Sequence, residues 1–162
     1  GLEVETDAGV LRALATPGHT ADHFAFHWEA QRAVFCGDLM LGGQDTALIA
    51  PPEGRLAPYL ASLERIRALG PEVIHPAHGP PFHDPAEALD RYVRHREARQ
   101  EQVLAALRGG IHDYEGLLDA VYGDSIAPEL RRAGMAALKA YLEYLQGLGR
   151  VRRSGRGWEA VQ

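Results

Sequence analysis

Apolar and polar residues alternate from the start of the chain. Leu2-Glu3-Val4-Glu5 alternates, meets a turn at Asp7-Ala8-Gly9 and resumes in Val10-Leu11-Arg12-Ala13-Leu14, which predicts a β-hairpin. Phe24-Ala25-Phe26-His27-Trp28 is a further alternating strand, and Ala33-Val34-Phe35-Cys36 follows a turn around Glu29-Ala30-Gln31. The stretch from Gly42 to Pro58, rich in glycine and proline, reads as a loop. Tyr59, Leu60, Leu63, Ile66 and Leu69 then fall at helical spacing, stopped by Gly70-Pro71, and Val73-Ile74-His75 is a short strand.

From Asp84 the period changes. Asp84 can cap, Pro85 suits a first helical position and Glu87 completes a capping box, so a helix is expected as far as Arg108, ended by Gly109-Gly110. Its middle, Arg94 to Gln102, is nearly all polar, as in a helix that bridges two domains. A second helix is expected over about Tyr114–Tyr122, and a third, or a closely spaced pair, over Pro128–Gln146. The apolar stripe of that third segment is read as Leu130, Ala137, Leu138, Tyr141, Leu142 and Leu145. Two short strands, Arg150–Arg153 and Trp158–Val161, close the chain around Ser154-Gly155-Arg156-Gly157. Three helices followed by a β-ribbon is the winged-helix order. The division is therefore residues 1–84 and 85–162, α+β overall, without repeats or low-complexity tracts.

Composition narrows the picture. The net charge of −5 is unevenly spread: residues 1–84 hold five Lys and Arg against eleven Asp and Glu, residues 85–162 twelve against eleven. The acidic first part suits cation binding, and the second is too weakly basic to argue for nucleic acid alone. No run approaches the roughly 18 apolar residues of a membrane helix. Cys36 is the only cysteine, which removes a disulfide framework and favours a reducing, cytoplasmic compartment; it reads as a buried strand residue, not a nucleophile. The chain opens at Gly1, with no methionine or signal-like segment, as if processed or cut.

The candidate chemistry sits where strands end. Thr16-Pro17-Gly18-His19-Thr20, Gly37-Asp38 and Pro76-Ala77-His78-Gly79 place one His, one Asp and one His beside glycines, each after a short apolar run. Zinc accepts imidazole nitrogen and carboxylate oxygen, and two zinc ions about 3.5–4 Å apart share bridging ligands in hydrolytic sites. An Asp flanked by two His on different loops is half of such an arrangement. Singly, a His in a turn or a Gly-Asp at a strand end is usually structural; the ordered set carries the argument.

Thr16-Pro17-Gly18-His19-Thr20, Phe35-Cys36-Gly37-Asp38 and Pro76-Ala77-His78-Gly79-Pro80 resemble the C-terminal half of the metallo-β-lactamase superfamily. The tail is similar to the winged helix of its lactamase-β-like, endoribonuclease-type branch. The resemblance implies the C-terminal half of an αββα sandwich followed by a winged-helix domain. It implies two zinc ions in the parent protein and hydrolysis of a phosphodiester, ester or thioester by metal-bound hydroxide. His19 would be a ligand of the first metal, Asp38 the bridge and His78 a ligand of the second, with His23 and Asp22 supporting them. The family's His-x-His-x-Asp-His motif is absent, as is the further His that normally precedes the first motif here. The chain is therefore expected to be a fragment, by proteolysis, excision or gene truncation, with partial or no metal and no complete catalytic set. Half a sandwich leaves a sheet face uncovered, so its expected partner is the missing N-terminal half or another copy.

The remaining candidates are weaker. His19, His23 and His27 mimic a helical metal face, but the surrounding alternation argues strand and loop. His75 and His83 match no ligand position, and His95 and His112 are read as helix-surface residues. Arg150, Arg152, Arg153 and Arg156 crowd the wing beside Trp158, as a nucleic-acid contact would, although Trp158 could equally plug the small core. The competing reading is a non-catalytic winged-helix module, with a remnant sheet, serving binding or assembly. Reading the coding sequence ahead of Gly1 for the missing motif separates the two.

Overall fold

The alternating segments pair into one sheet in the order β1 (Glu3–Thr6), β2 (Gly9–Ala15), β3 (Phe24–Trp28), β4 (Ala33–Gly37) and β5 (Val73–Pro76). The computed structural model describes residues 2–44, 46–123, 127–155 and 157–161. The first four strands are antiparallel neighbours, and β5 runs parallel to β4. A parallel neighbour needs a crossover, which α1 (Leu56–Ala68) supplies. This topology places the C-terminal ends of β2, β4 and β5 on the same edge of the sheet.

The two faces of the sheet differ. Ala25, Val34, Cys36 and Ile74 are fully buried on one of them, in a cluster with Tyr59, Leu63 and Ile66 of α1 and with Leu89 and Tyr92 of α2 (Pro85–Arg108). On the other, Phe26 pairs with Phe35 and Phe35 with His75, whose rings stack at 5.1 Å. That face is open: Phe24 is 50%, Phe26 37% and Phe35 37% exposed.

After α2 come α3 (Tyr114–Tyr122), α4 (Arg131–Gly147) and the hairpin β6 (Val151–Ser154) and β7 (Gly157–Ala160). The caps form as the sequence suggests, with Asp84 accepting from the Glu87 amide and Asp113 from the Gly116 amide. One buried cluster continues from the sheet through Leu104, Leu117, Leu138, Leu142 and Val151 to Trp158.

Several sequence expectations change. The loop after Gly42 ends at Arg55, because α1 starts at Leu56 and takes Pro58 into its first turn, where a missing N–H costs nothing. The third segment divides into a short 3-10 turn, Pro128–Leu130, and α4. Leu130, assigned to the apolar stripe, is 55% exposed. His112 lies in the connection before α3, not on a helix: its ring nitrogen Nδ1 is 2.8 Å from the Trp158 carbonyl, and its own carbonyl accepts from the Trp158 amide.

Within the polar middle of α2, Arg96 and Gln100 are buried. Arg96 donates to the Tyr141 hydroxyl and the Ala47 carbonyl and lies 4.8 Å over the Tyr59 ring. Its charge counts as polar in a hydropathy pattern, yet these partners allow it inside.

Candidate metal centre

His19 stands on the loop leaving β2. Gly18 precedes it with φ +146, and a Cβ there would lie 2.3 Å from the Tyr59 Cα, so the loop packs backbone to backbone on α1. Arg55 donates its amide to the Gly18 carbonyl and Ser62 its hydroxyl to the Pro17 carbonyl. The His19 Nδ1 lies 3.0 Å from the Leu48 carbonyl. A carbonyl can only accept, so Nδ1 carries the proton of the neutral ring and Nε2 keeps its lone pair.

Asp38 stands at the exit of β4, after a register shift between Phe35 and Gly37 that turns the chain out of the ladder. Two buried tyrosines hold the residues just beyond it. Tyr59 donates to the Leu39 carbonyl, and the Tyr92 hydroxyl receives the Leu41 amide while donating to the Leu41 carbonyl. His78 comes from the loop after β5. That loop is joined to the Asp38 loop by the Ala77 amide on the Gly37 carbonyl and the Gly42 amide on the His78 carbonyl. The His78 Nε2 lies 3.5 Å from Asp38 Oδ1, and both side chains are open to solvent.

His23 lies between the two groups. Its ring centroid is 6.4 Å from that of His19, its Nδ1 is 2.9 Å from the Thr16 hydroxyl, and its Nε2 presses on Gly37, where a Cβ would approach to 2.6 Å. Burial, followed by the neighbouring His19, lowers its pKa, so the neutral ring is favoured. Asp22 accepts from the Thr20 hydroxyl within the same loop.

The structure thus brings His19, His23, Asp38 and His78 to one edge of the sheet. Two imidazoles and a carboxylate suit a divalent transition metal, and the Nδ1 contact with the Leu48 carbonyl leaves the His19 Nε2 with its lone pair. The residues fit a metal as part of a donor set; among the described residues, no three His, Cys, Asp or Glu side chains are grouped to hold one. The supporting roles of Thr16, Ser62, Tyr59 and Tyr92 are not read from the sequence. Their only signal is position: a polar group within an otherwise apolar stripe or strand end.

Cys36, beside the site, is fully buried, and burial pushes its thiol up to about 12. A disulfide reagent is expected to modify the folded chain at least about a hundredfold more slowly than the urea-unfolded chain. Equal rates would contradict that burial.

The arginines at the other end are engaged within the chain. Arg150 pairs with Glu101 at 3.1 Å and Arg152 with Glu159, while Arg153 lies 4.5 Å over the Trp158 ring and donates to the Tyr114 hydroxyl. Trp158 is 1% exposed and offers no face for a base. Arg156 lies outside the described residues.

Comparison with known proteins gives this edge a context. The family described as the metallo-beta-lactamase superfamily matches residues 3–78. The chain is 37% identical over 128 residues to a beta-lactamase-like protein 2 homolog of Caenorhabditis elegans, an alignment covering 77% of this chain and 41% of that protein. It is 31% identical over 147 residues to the lactamase-like protein adaB of Aspergillus niger, covering 82% of this chain and 44% of that protein. The crystal structure of a metallo-beta-lactamase family protein from Thermus thermophilus superposes on 99% of this chain and 52% of its own, with a TM-score of 0.84 at 29% identity. A beta-lactamase domain protein from Burkholderia ambifaria, at 23% identity and a TM-score of 0.87, shares the fold over 99% of this chain and 50% of its own. The chain spans about half the length of these relatives, or less.

Proposed function

The chain belongs to the metallo-β-lactamase superfamily, and from that premise we propose that it is the C-terminal half of a zinc-dependent hydrolase. The observation that carries the proposal is the meeting of loops: β2, β4 and β5 end on one edge, where Asp38 and His78 stand 3.5 Å apart and the Leu48 carbonyl takes the Nδ1 side of His19, leaving its Nε2 lone pair. When bound, the metal supplies electrophilic polarisation of the scissile group and activation of water.

His19 and His78 serve as nitrogen ligands and Asp38 as the carboxylate between them. His23 and Asp22 hold the loop of His19. The other donors belong to a segment bearing His-x-His-x-Asp-His. Phe24, Phe26 and Phe35 support this assembly, since three exposed phenylalanines on one sheet face are what a second sheet would cover. Residues 85–162 are read as a winged-helix domain forming one wall of the cleft. The engaged arginines and the buried Trp158 favour this wall over a nucleic-acid surface. A cytoplasmic setting accords with the single reduced, buried Cys36. The substrate bond is a phosphodiester, ester or thioester.

The test joins this chain to the amino-terminal half of the Thermus thermophilus relative and assays hydrolysis of nitrophenyl esters and bis-nitrophenyl phosphate with added zinc. Activity is expected in the joined protein, with a loss of about a hundredfold or more in Asp38→Asn. Joined protein that folds and binds zinc, yet keeps full activity in Asp38→Asn, would overturn the assigned role.

A further inference from the structure

Behind the loop that steadies His19 lies a second concavity. A cavity of about 380 Å³ opens between residues 46–49 and helices α2 and α4, a size within the range of about 300–1,000 Å³ typical of small-molecule sites. Leu48, Ile49, Leu130 and Ala137 give it apolar walls. Leu48 and Leu130, at 49% and 55% exposure, are two of the large apolar side chains that the described surface leaves open to water, and both line this cavity. An unfilled apolar mouth of this kind is a binding feature more often than an accident.

The polar part of the lining combines arginines with Thr46, His95 and two tyrosines. Arg96 and Arg99 contribute two guanidinium groups, and the described lining holds no Asp or Glu. Arg96 is 4% exposed, its Nε has no hydrogen-bond partner among the described residues, and its terminal nitrogens donate to the neutral oxygens of Tyr141 and Ala47. Arg99 donates to the Gln102 side chain and the Val121 carbonyl, again neutral acceptors. Two guanidinium groups, one of them deep in the protein, thus face the same cavity. A guanidinium beside an apolar wall selects a planar anion with a hydrocarbon body, whereas a bare phosphate would leave the wall unsatisfied.

We propose that this cavity binds an apolar carboxylate, its hydrocarbon body against Leu48, Ile49, Leu130 and Ala137 and its carboxylate towards Arg99. The cavity wall also touches the metal centre: the Leu48 carbonyl, 3.0 Å from the His19 Nδ1, belongs to the segment that forms the wall. The proposal does not depend on the hydrolase reading, because binding is measured on the metal-free chain.

Calorimetric titration of the 162-residue chain with decanoate, below its micelle-forming concentration, is expected to show a single saturable site. Decylammonium and inorganic phosphate are each expected to bind at least about tenfold more weakly. Arg99→Gln and Leu130→Asp should each weaken decanoate about tenfold; Leu130 is on the surface, so its variant keeps the test valid if Arg99→Gln does not fold. Amide NMR shifts should centre on Leu48, Ile49 and Gly134. Absence of binding, equal affinity for decylammonium, or shifts centred on Phe24, Phe26 and Phe35 of the open sheet face would each overturn the proposal.

Discussion

Gly18→Ala is expected to cost the chain roughly 3 kcal/mol or more, because the new methyl group meets backbone that cannot move aside. A Cβ at position 18 would lie 2.3 Å from the Tyr59 Cα and 2.6 Å from its nitrogen, and φ at this glycine is +146, where L side chains are strained. The obstacle is the helix α1 itself. The damage extends beyond one loop, since Tyr59 also donates to the Leu39 carbonyl directly after Asp38. Pushing α1 away therefore disturbs the supports of His19 and Asp38 together. Gly70→Ala is the control: φ there is +59, but nothing lies within 4 Å of its Cβ position, so its cost is only the local conformational strain, about 1 kcal/mol. Urea denaturation of both variants measures the contrast, and equal midpoints would contradict the close packing of Gly18 on Tyr59.

Trp158→Ala is expected to cost about 3–5 kcal/mol, the range for removing a large buried aromatic side chain. Trp158 is 1% exposed, joins the main buried cluster and meets Tyr114 edge-on at 6.4 Å. Arg153 covers its ring from the solvent side. Its backbone forms two bonds with His112, which fasten β7 to the connection before α3. Losing the ring therefore frees the hairpin from the helices as well as leaving a cavity. Thermal unfolding of Trp158→Ala and Trp158→Phe separates the two accounts of this residue. A core plug predicts a large loss in the alanine variant, partly recovered by phenylalanine. An exposed stacking platform predicts no change in stability in either.

Much of the scaffold was legible because its signals are local. Alternation in Phe24–Trp28, the Asp84-Pro85 start of α2 and the turn before Gly157 each specify their element without knowledge of the rest of the chain. The three strand-exit motifs were legible for the same reason, and the sheet order brings their loops to one edge. The hidden features depend on partners distant in sequence. Arg96 reads as a surface cation until Tyr141 and Ala47, 45 and 49 residues away, supply acceptors. Leu130 fits the helical period yet falls in the turn before α4, where it is 55% exposed. His112 looks like a helix residue until its pairing with Trp158 across 46 residues is seen. The roles of Tyr59 and Tyr92, single hydroxyls holding the Asp38 loop, have no sequence signature apart from long-range contact.

On the proposed reading, His19, Asp38 and His78 are part of a shared metal-ligand set whose other members lie on a different segment. Zinc retained after exhaustive dialysis, counted by mass spectrometry for this chain alone and for the chain joined to a segment bearing His-x-His-x-Asp-His, tests it most directly. The account predicts clearly less than one equivalent on the chain alone and about two in the joined protein. Two equivalents held tightly by the chain alone would contradict it.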